Sequence, residues 1–244
     1  MMLEWGPIKY LVQHFMLPFL TFCYTNVYAN YGVAIILLTL VIKIAFYPLM
    51  TKQFESMRKM KELKPELDKL NEKYKNNPQE KQKAMVTLYR DKKVNPFQGC
   101  LPMIVQIPFF LAIYATILSE SFTSLIHQPD VNPGLFTFWL SDLSVADSTK
   151  ILPILLAVFT YYSQKMMMVD QQQKLLLIMS PIFILIFGLS LPAGVVLYWA
   201  VQTLLSTLQQ YWLMGRAVPV SGDGIITTTA KKVKTKRLKQ VKNT

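Results

Sequence analysis

Cysteine, histidine and glycine are scarce in this chain, at 2, 2 and 9 of 244 residues. Two cysteines cannot build a disulfide scaffold, and nine glycines exclude a collagen-like repeat. Charge is short as well. Only 16% of residues are charged, where an ordinary soluble domain carries about 25%. A soluble enzyme is therefore excluded first. No Walker loop, HExxH or GxSxG occurs, so ATP hydrolysis and proteolysis lose support and an enzyme is not expected. His14 and His127 each lack a second His or Cys at ligand spacing. They read as surface residues, and no metal or other cofactor is expected.

What the chain has instead is apolar residues, 52% of the total, gathered in blocks. These are long enough to cross a hydrocarbon core of about 30 Å as helices. The fold class expected is an all-α membrane protein with five transmembrane helices, at 31–50, 96–119, 150–168, 174–191 and 194–214. Cytoplasmic loops collect Lys and Arg. Residues 51–93 hold 13 Lys/Arg against 7 Asp/Glu, and the basic tail 215–244 holds 8 against 1. Both are assigned to the cytoplasm. The loop 120–149 has no Lys or Arg, only Glu120, Asp130, Asp142 and Asp147, and is assigned outside. The predicted topology is N-terminus out and C-terminus in.

Residues 1–30 lack the basic start and small-residue cleavage site of a signal peptide. Trp5, Ile8, Leu11, Phe15 and Phe19 suggest an amphipathic helix lying on the outer surface. Cys23 would lie outside and Cys100 near the inner end of the second span, too far apart to pair.

Segment 51–93 changes pattern. Met60, Leu63, Leu67, Leu70 and Tyr74 recur at helical spacing among charged residues. Asn77-Pro78-Gln79-Glu80 is a helix start, and the helix it opens carries Met85, Leu88 and Tyr89 on one side. A cytoplasmic helical hairpin between the first and second spans is expected. Its pattern suits equally a solvated spacer and a basic, Met-bearing surface for polypeptide or lipid headgroups.

Lys43 is the single charge in the first block, YGVAIILLTLVIKIAFYPLM. A charge at mid-bilayer costs about 2.5–3.5 kcal/mol on insertion scales, so something must offset it. Snorkelling to the inner headgroups is one answer, and a wet cavity open to the cytoplasm is the other. Thr39, one turn away on the same face, with Gln106 in the second span and Gln164 in the third, favours the cavity. No acidic residue lies within a span to relay protons. A cation in such a groove would attract acidic groups on an entering peptide or a small anion. The tail, with Lys231, Lys232, Lys234, Lys236, Arg237, Lys239 and Lys242, suits anionic lipid or phosphate, without specificity for a nucleic acid sequence.

LVIKIAFYPLMTKQFESMRKMKELKPEL, VNPFQGCLPMIVQIPFFLAIY, ILPILLAVFTYYSQKM, QQQKLLLIMSPIF and LPAGVVLYWAVQTLLSTLQQYWL stand in one order from about Gly6 to Leu213. Together they resemble the YidC/Oxa1/Alb3 membrane protein insertases. The resemblance implies five helices around a hydrophilic groove, open to cytoplasm and lipid, with a basic residue inside. Lys43 occupies that position, where Arg is usual, so the charge is kept and the planar fork lost. Thr39 and Trp199 fall on positions implicated in the groove and in contact with passing segments, and Gln164 is expected to line it.

The implied function is a membrane protein insertase and chaperone that needs no nucleotide. Its partners would be nascent membrane proteins and membrane lipids, with the ribosome, through the tail, and a Sec translocon as further candidates. The large folded domain that precedes the core in some bacterial relatives is expected to be missing. Bacterial plasma (inner) membrane and thylakoid membrane both fit. Two other classes stand beside this reading: a small-anion channel or transporter, and a ribosome or lipid tether.

Overall fold

The computed structural model describes residues 6–95, 101–136, 138–168 and 174–215. The second start signal, at Asn95 to Gln98, the position of Cys100 and the basic tail lie wholly or partly outside these. Every described helix belongs to a compact unit that ends at Met214, apart from one terminal residue. The protein is helical, and its one β-type contact among the described residues is an isolated bridge between Ala146 and Pro192.

Helices α1 (Gly6–Leu11) and α2 (Leu17–Asn26) are joined by a π-helical turn, Val12–Met16. α3 (Tyr31–Ala45) begins where the Asn30 side chain accepts from Val33 N–H at 3.0 Å. Asn30 also donates to the Leu135 carbonyl, tying the start of α3 to the loop after α8. The first apolar block was expected to run on to Met50, but the chain turns by 65° between α3 and α4 (Tyr47–Glu62). Pro48 supplies the cause: it has no N–H for the Ile44 carbonyl, and its ring crowds the preceding turn.

α4 is followed by α5 (Lys64–Lys73) and α6 (Pro78–Asp91). Met60, Leu63 and Leu67 form a small core against Met85, Leu88, Tyr89 and Val94, and Lys92 closes it with a 2.6 Å bridge to Glu66. Asn77 caps α6 by accepting from Glu80 N–H at 3.2 Å. The hairpin thus has its own hydrophobic nucleus.

The remaining helices are α7 (Leu101–Ile117), α8 (Glu120–Ile126), α9 (Ile151–Met167), α10 (Lys174–Gly188) and α11 (Ala193–Gly215). Among the described residues no single helix is both long and apolar enough to cross a membrane alone. Two bent pairs meet the test together, α3 with α4, and Ile104–Ile117 with α8.

The principal core lies toward the end that carries the 127–150 loop. Ile35, Leu38, Ile113, Ile117, Phe122, Leu143, Leu156, Val195, Val196 and Tyr198 are all sealed from solvent there. Gly194 allows the close approach. A Cβ at that position would stand 2.9 Å from Ile117 Cδ1 and 3.2 Å from the Leu143 carbonyl. The backbone of this turn is pinned as well, with Gly194 N–H donating to Leu143 O at 2.9 Å and Ala193 N–H to Val145 O at 2.6 Å. Hydroxyls within this dry half bond back to their own helices: Thr39 to Ile35 O, Thr116 to Ala112 O and Thr160 to Leu156 O.

Candidate functional site

Toward the hairpin end the character of the interior changes. On α11, Gln202, Ser206 and Gln210 recur every fourth residue with Gln209 beside the last, so one helical face carries a polar stripe through an apolar segment. The stripe runs about 12 Å along the helix axis.

Lys43, in the last turn of α3, reaches it. Its Nζ donates to Ser206 Oγ at 2.6 Å, and Ser206 Oγ in turn donates to the Gln202 carbonyl at 2.8 Å. The lysine is only 8% exposed, yet among the described residues no carboxylate forms a salt bridge with it. What partly offsets the charge is the negative end of the α3 macrodipole.

Gln106 joins the same stripe from α7. Its Nε2 donates to the Tyr198 hydroxyl, and its Oε1 accepts from Gln202 Nε2 at 2.9 Å. Tyr198 is fully buried and so marks the border between the dry core and the polar half. Lower down, Gln209 Nε2 donates to Thr51 of α4 at 3.3 Å, and Ser163 of α9 donates to Gln210 Oε1 at 3.4 Å. Four helices therefore send a polar group to α11: Lys43 from α3, Thr51 from α4, Gln106 from α7 and Ser163 from α9.

The residues picked out from sequence separate into two sets. Lys43 and Gln106 share the α11 stripe, and Trp199, half-buried, stacks edge-to-face on Phe110 at 5.1 Å just beyond it. Thr39 is sealed in the core by its bond to Ile35 O. Gln164 turns toward α10, where it accepts from Ser180 at 2.6 Å, while its neighbour Ser163 faces the stripe.

With this geometry in view, the comparisons are decisive about kinship. Residues 22–219 match the family model described as 60Kd inner membrane protein. The chain belongs to the 60Kd inner membrane protein family. A protein of Geobacter sulfurreducens named membrane protein insertase YidC is 40% identical over 190 residues, covering 77% of this chain and 34% of that protein. Its namesake from Lawsonia intracellularis is 42% identical over 206 residues, 83% of this chain and 38% of the relative. In Polynucleobacter asymbioticus another of the same name is 37% identical, over 86% of this chain and 35% of the relative. The chain spans about a third of the length of these curated relatives.

Sequence reasoning about this family member passed over Gln202, Ser206, Gln209 and Gln210. The signal was present. A polar residue at every fourth position of an apolar block marks one helical face as surely as an apolar stripe marks an amphipathic helix.

Proposed function

We propose that the chain is the membrane core of an insertase and chaperone for nascent membrane proteins, working without nucleotide hydrolysis. The observation that carries this reading is the two-part interior. A polar stripe with a buried lysine occupies the hairpin half, and a dry core closes the other. Such a groove gives the hydrophilic flank of a client a place to rest halfway across, while its hydrophobic segment slides along the lipid-facing sides of α7 and α11. Burial of that segment in lipid then supplies the driving force.

Five spans, an outside N-terminus and an inside C-terminus complete the proposal, supported by the asymmetry of Lys and Arg between the loops. The outward surface of α9 and α10 agrees with a lipid setting. Leu175, Phe183 and Ile186 are at least 64% exposed, and an apolar trough of about 490 Å³ runs between Ile154, Val158, Tyr162, Ile178 and Ile182. A bacterial inner membrane is the proposed location, with the thylakoid membrane as the alternative. The ribosome, through the basic tail, and a Sec translocon are proposed as partners. A small-anion channel is disfavoured by the sealed core, which would have to open for ions to pass.

A photo-crosslinker placed at Trp199 tests the proposal. Adducts are expected with a stalled nascent membrane protein and not with a stalled soluble one. Absence of adducts from a chain that is folded in membranes overturns it. Lys43→Arg is expected to retain insertion and Lys43→Glu to lose it, most strongly for clients with acidic translocated flanks. Equal insertion by the Glu variant removes the electrostatic part.

A further inference from the structure

Helices α9 and α10 leave a furrow between them on the outward surface. They run antiparallel: Ser180 donates to Gln164 at one level, and a Cβ on Gly188 would stand 3.4 Å from Pro153 at the other. The trough of about 490 Å³ spans these levels. Ala157 and Pro181 line it, and their short side chains leave room that Ile154, Val158, Ile182 and Leu185 flank.

Its lining is graded along the axis. Toward Pro153 it is wholly aliphatic, and toward Gln164 it ends in Tyr161 and Tyr162, whose rings meet edge to face at 5.7 Å. One turn beyond, Lys165 holds its ammonium over the Tyr161 ring, 5.8 Å from the centroid. Among the described residues no carboxylate forms a salt bridge with it. Lys174, exposed at the start of α10, stands four residues before Ile178 of the furrow, about 6 Å farther toward the same side.

An aliphatic slot that ends in aromatic rings and two cations suits an amphipathic anion. The dimensions narrow the choice. Lys165 and Ile154 are about 16 Å apart along the axis of α9, close to the roughly 15 Å depth of one leaflet. Over the about 10 Å from Ile154 to Tyr161, the furrow has a mean cross-section of about 47 Å², whereas a helix 10 Å across takes about 79 Å². An acyl chain can lie inside it, and a client helix cannot.

We propose that the furrow between α9 and α10 is a site for one anionic phospholipid of the cytoplasmic leaflet, with an acyl chain in the furrow and the phosphate against Lys165 and Lys174. The inference goes beyond the insertase reading and takes from it only the orientation in the membrane.

The test uses the full chain in detergent, with no client present. Native mass spectrometry follows its adducts in an equimolar mixture of phosphatidylglycerol and phosphatidylcholine with identical acyl chains. Wild type is expected to retain phosphatidylglycerol preferentially. Lys165→Gln is expected to lower that preference about fivefold, the weight of one basic residue beside an anionic lipid. Lys150→Gln removes the same charge at the far end of α9 and is expected to leave it unchanged. Ala157→Leu, which puts a larger side chain into the furrow, is expected to weaken retention of both lipids.

Should Ala157→Leu fold poorly, phosphatidylglycerol carrying a diazirine midway along its acyl chain gives a second reading in wild-type proteoliposomes. Label is then expected within residues 154–162 and 178–185. Absence of a lipid preference overturns the inference, as do equal losses in the two lysine variants or label spread evenly over the outward helices. Such a result strikes the lipid site and leaves the insertase reading standing, since no client takes part. Failed client crosslinking from Trp199 strikes the insertase reading and leaves the lipid adducts in place.

Discussion

Replacing Lys43 with methionine separates a charge kept for function from one that holds the fold together. The ammonium is 8% exposed, donates to Ser206 Oγ and pairs with no carboxylate among the described residues. Its presence inside an apolar bundle costs about 2.5–3.5 kcal/mol on insertion scales. Against that stand one charge-assisted hydrogen bond, about 1.5–3 kcal/mol, and the α3 terminus, about 0.3–1 kcal/mol. These nearly cancel. Methionine fills similar volume without the charge, and Ser206 keeps its own bond to the Gln202 carbonyl.

Lys43→Met is therefore expected to leave stability within about 1 kcal/mol of wild type, a shift in Tm below about 4 °C for a chain of this size. Insertion of a client with an acidic flank should meanwhile fall about tenfold or more, the effect of about 1.4 kcal/mol of lost attraction. Thermal unfolding in detergent, followed by tryptophan fluorescence, gives the first quantity, and proteoliposome insertion gives the second. Were Lys43 one half of a structural ion pair, its removal would cost about 3–5 kcal/mol, or at least about 6 °C. A drop of that size, or unchanged insertion, refutes the reasoning.

Gly194→Val should destabilise by about 1–3 kcal/mol, seen as a lower Tm, since its Cβ would meet Ile117 at 2.9 Å and the Leu143 carbonyl at 3.2 Å. Asn77→Ala removes the α6 cap and should cost about 1 kcal/mol, read as faster proteolysis within the hairpin while the rest of the chain stays protected. The 3.0 Å contact between His127 and Asp142 gives a pH dependence. Hydrogen bonding to Asp142, then to the Thr123 carbonyl, raises the imidazole above its ordinary value. Its contribution is full below about pH 6.5 and fades as pH climbs through the raised value. Burial pushes the Asp142 carboxyl up, but bonds from Ser144 and His127 outweigh it and hold the group low, so its share is lost only in stronger acid. The Tm difference between wild type and His127→Ala should accordingly shrink as pH rises above about 6.5.

The all-helical fold was legible because its signals are local. Asn77 before Pro78 announces a helix start by chemistry confined to four residues, and that cap is present. Met60, Leu63 and Leu67 announce the face that meets Met85 and Leu88 by period alone. The turn at Phe46 was harder, because apolar residues continue through Pro48 and hydropathy does not register a missing N–H.

The site was legible in part. Lys43 and Gln106 stood out as polar residues in apolar surroundings, but which helix they would meet depends on contacts 163 and 96 residues away. Thr39 looked open to a groove and is bonded to its own helix, since a hydroxyl can satisfy itself on the carbonyl four residues back. Gln164 and Ser163 are adjacent, so they must diverge around the helix, and sequence gives no means to choose which one faces α11.

The division of the interior at Tyr198 has an electrical consequence. If water fills the hairpin half, as the proposed groove requires, a membrane voltage would fall almost entirely across the sealed layer, and its gradient there would be about twice that in an unbroken bilayer of the same thickness. Each elementary charge moved through the full drop exchanges about 2.3 kcal/mol per 100 mV. A flank resting beside Lys43 would already stand at the edge of that steep layer, and a negative interior would drive its acidic groups outward without any moving part in the protein.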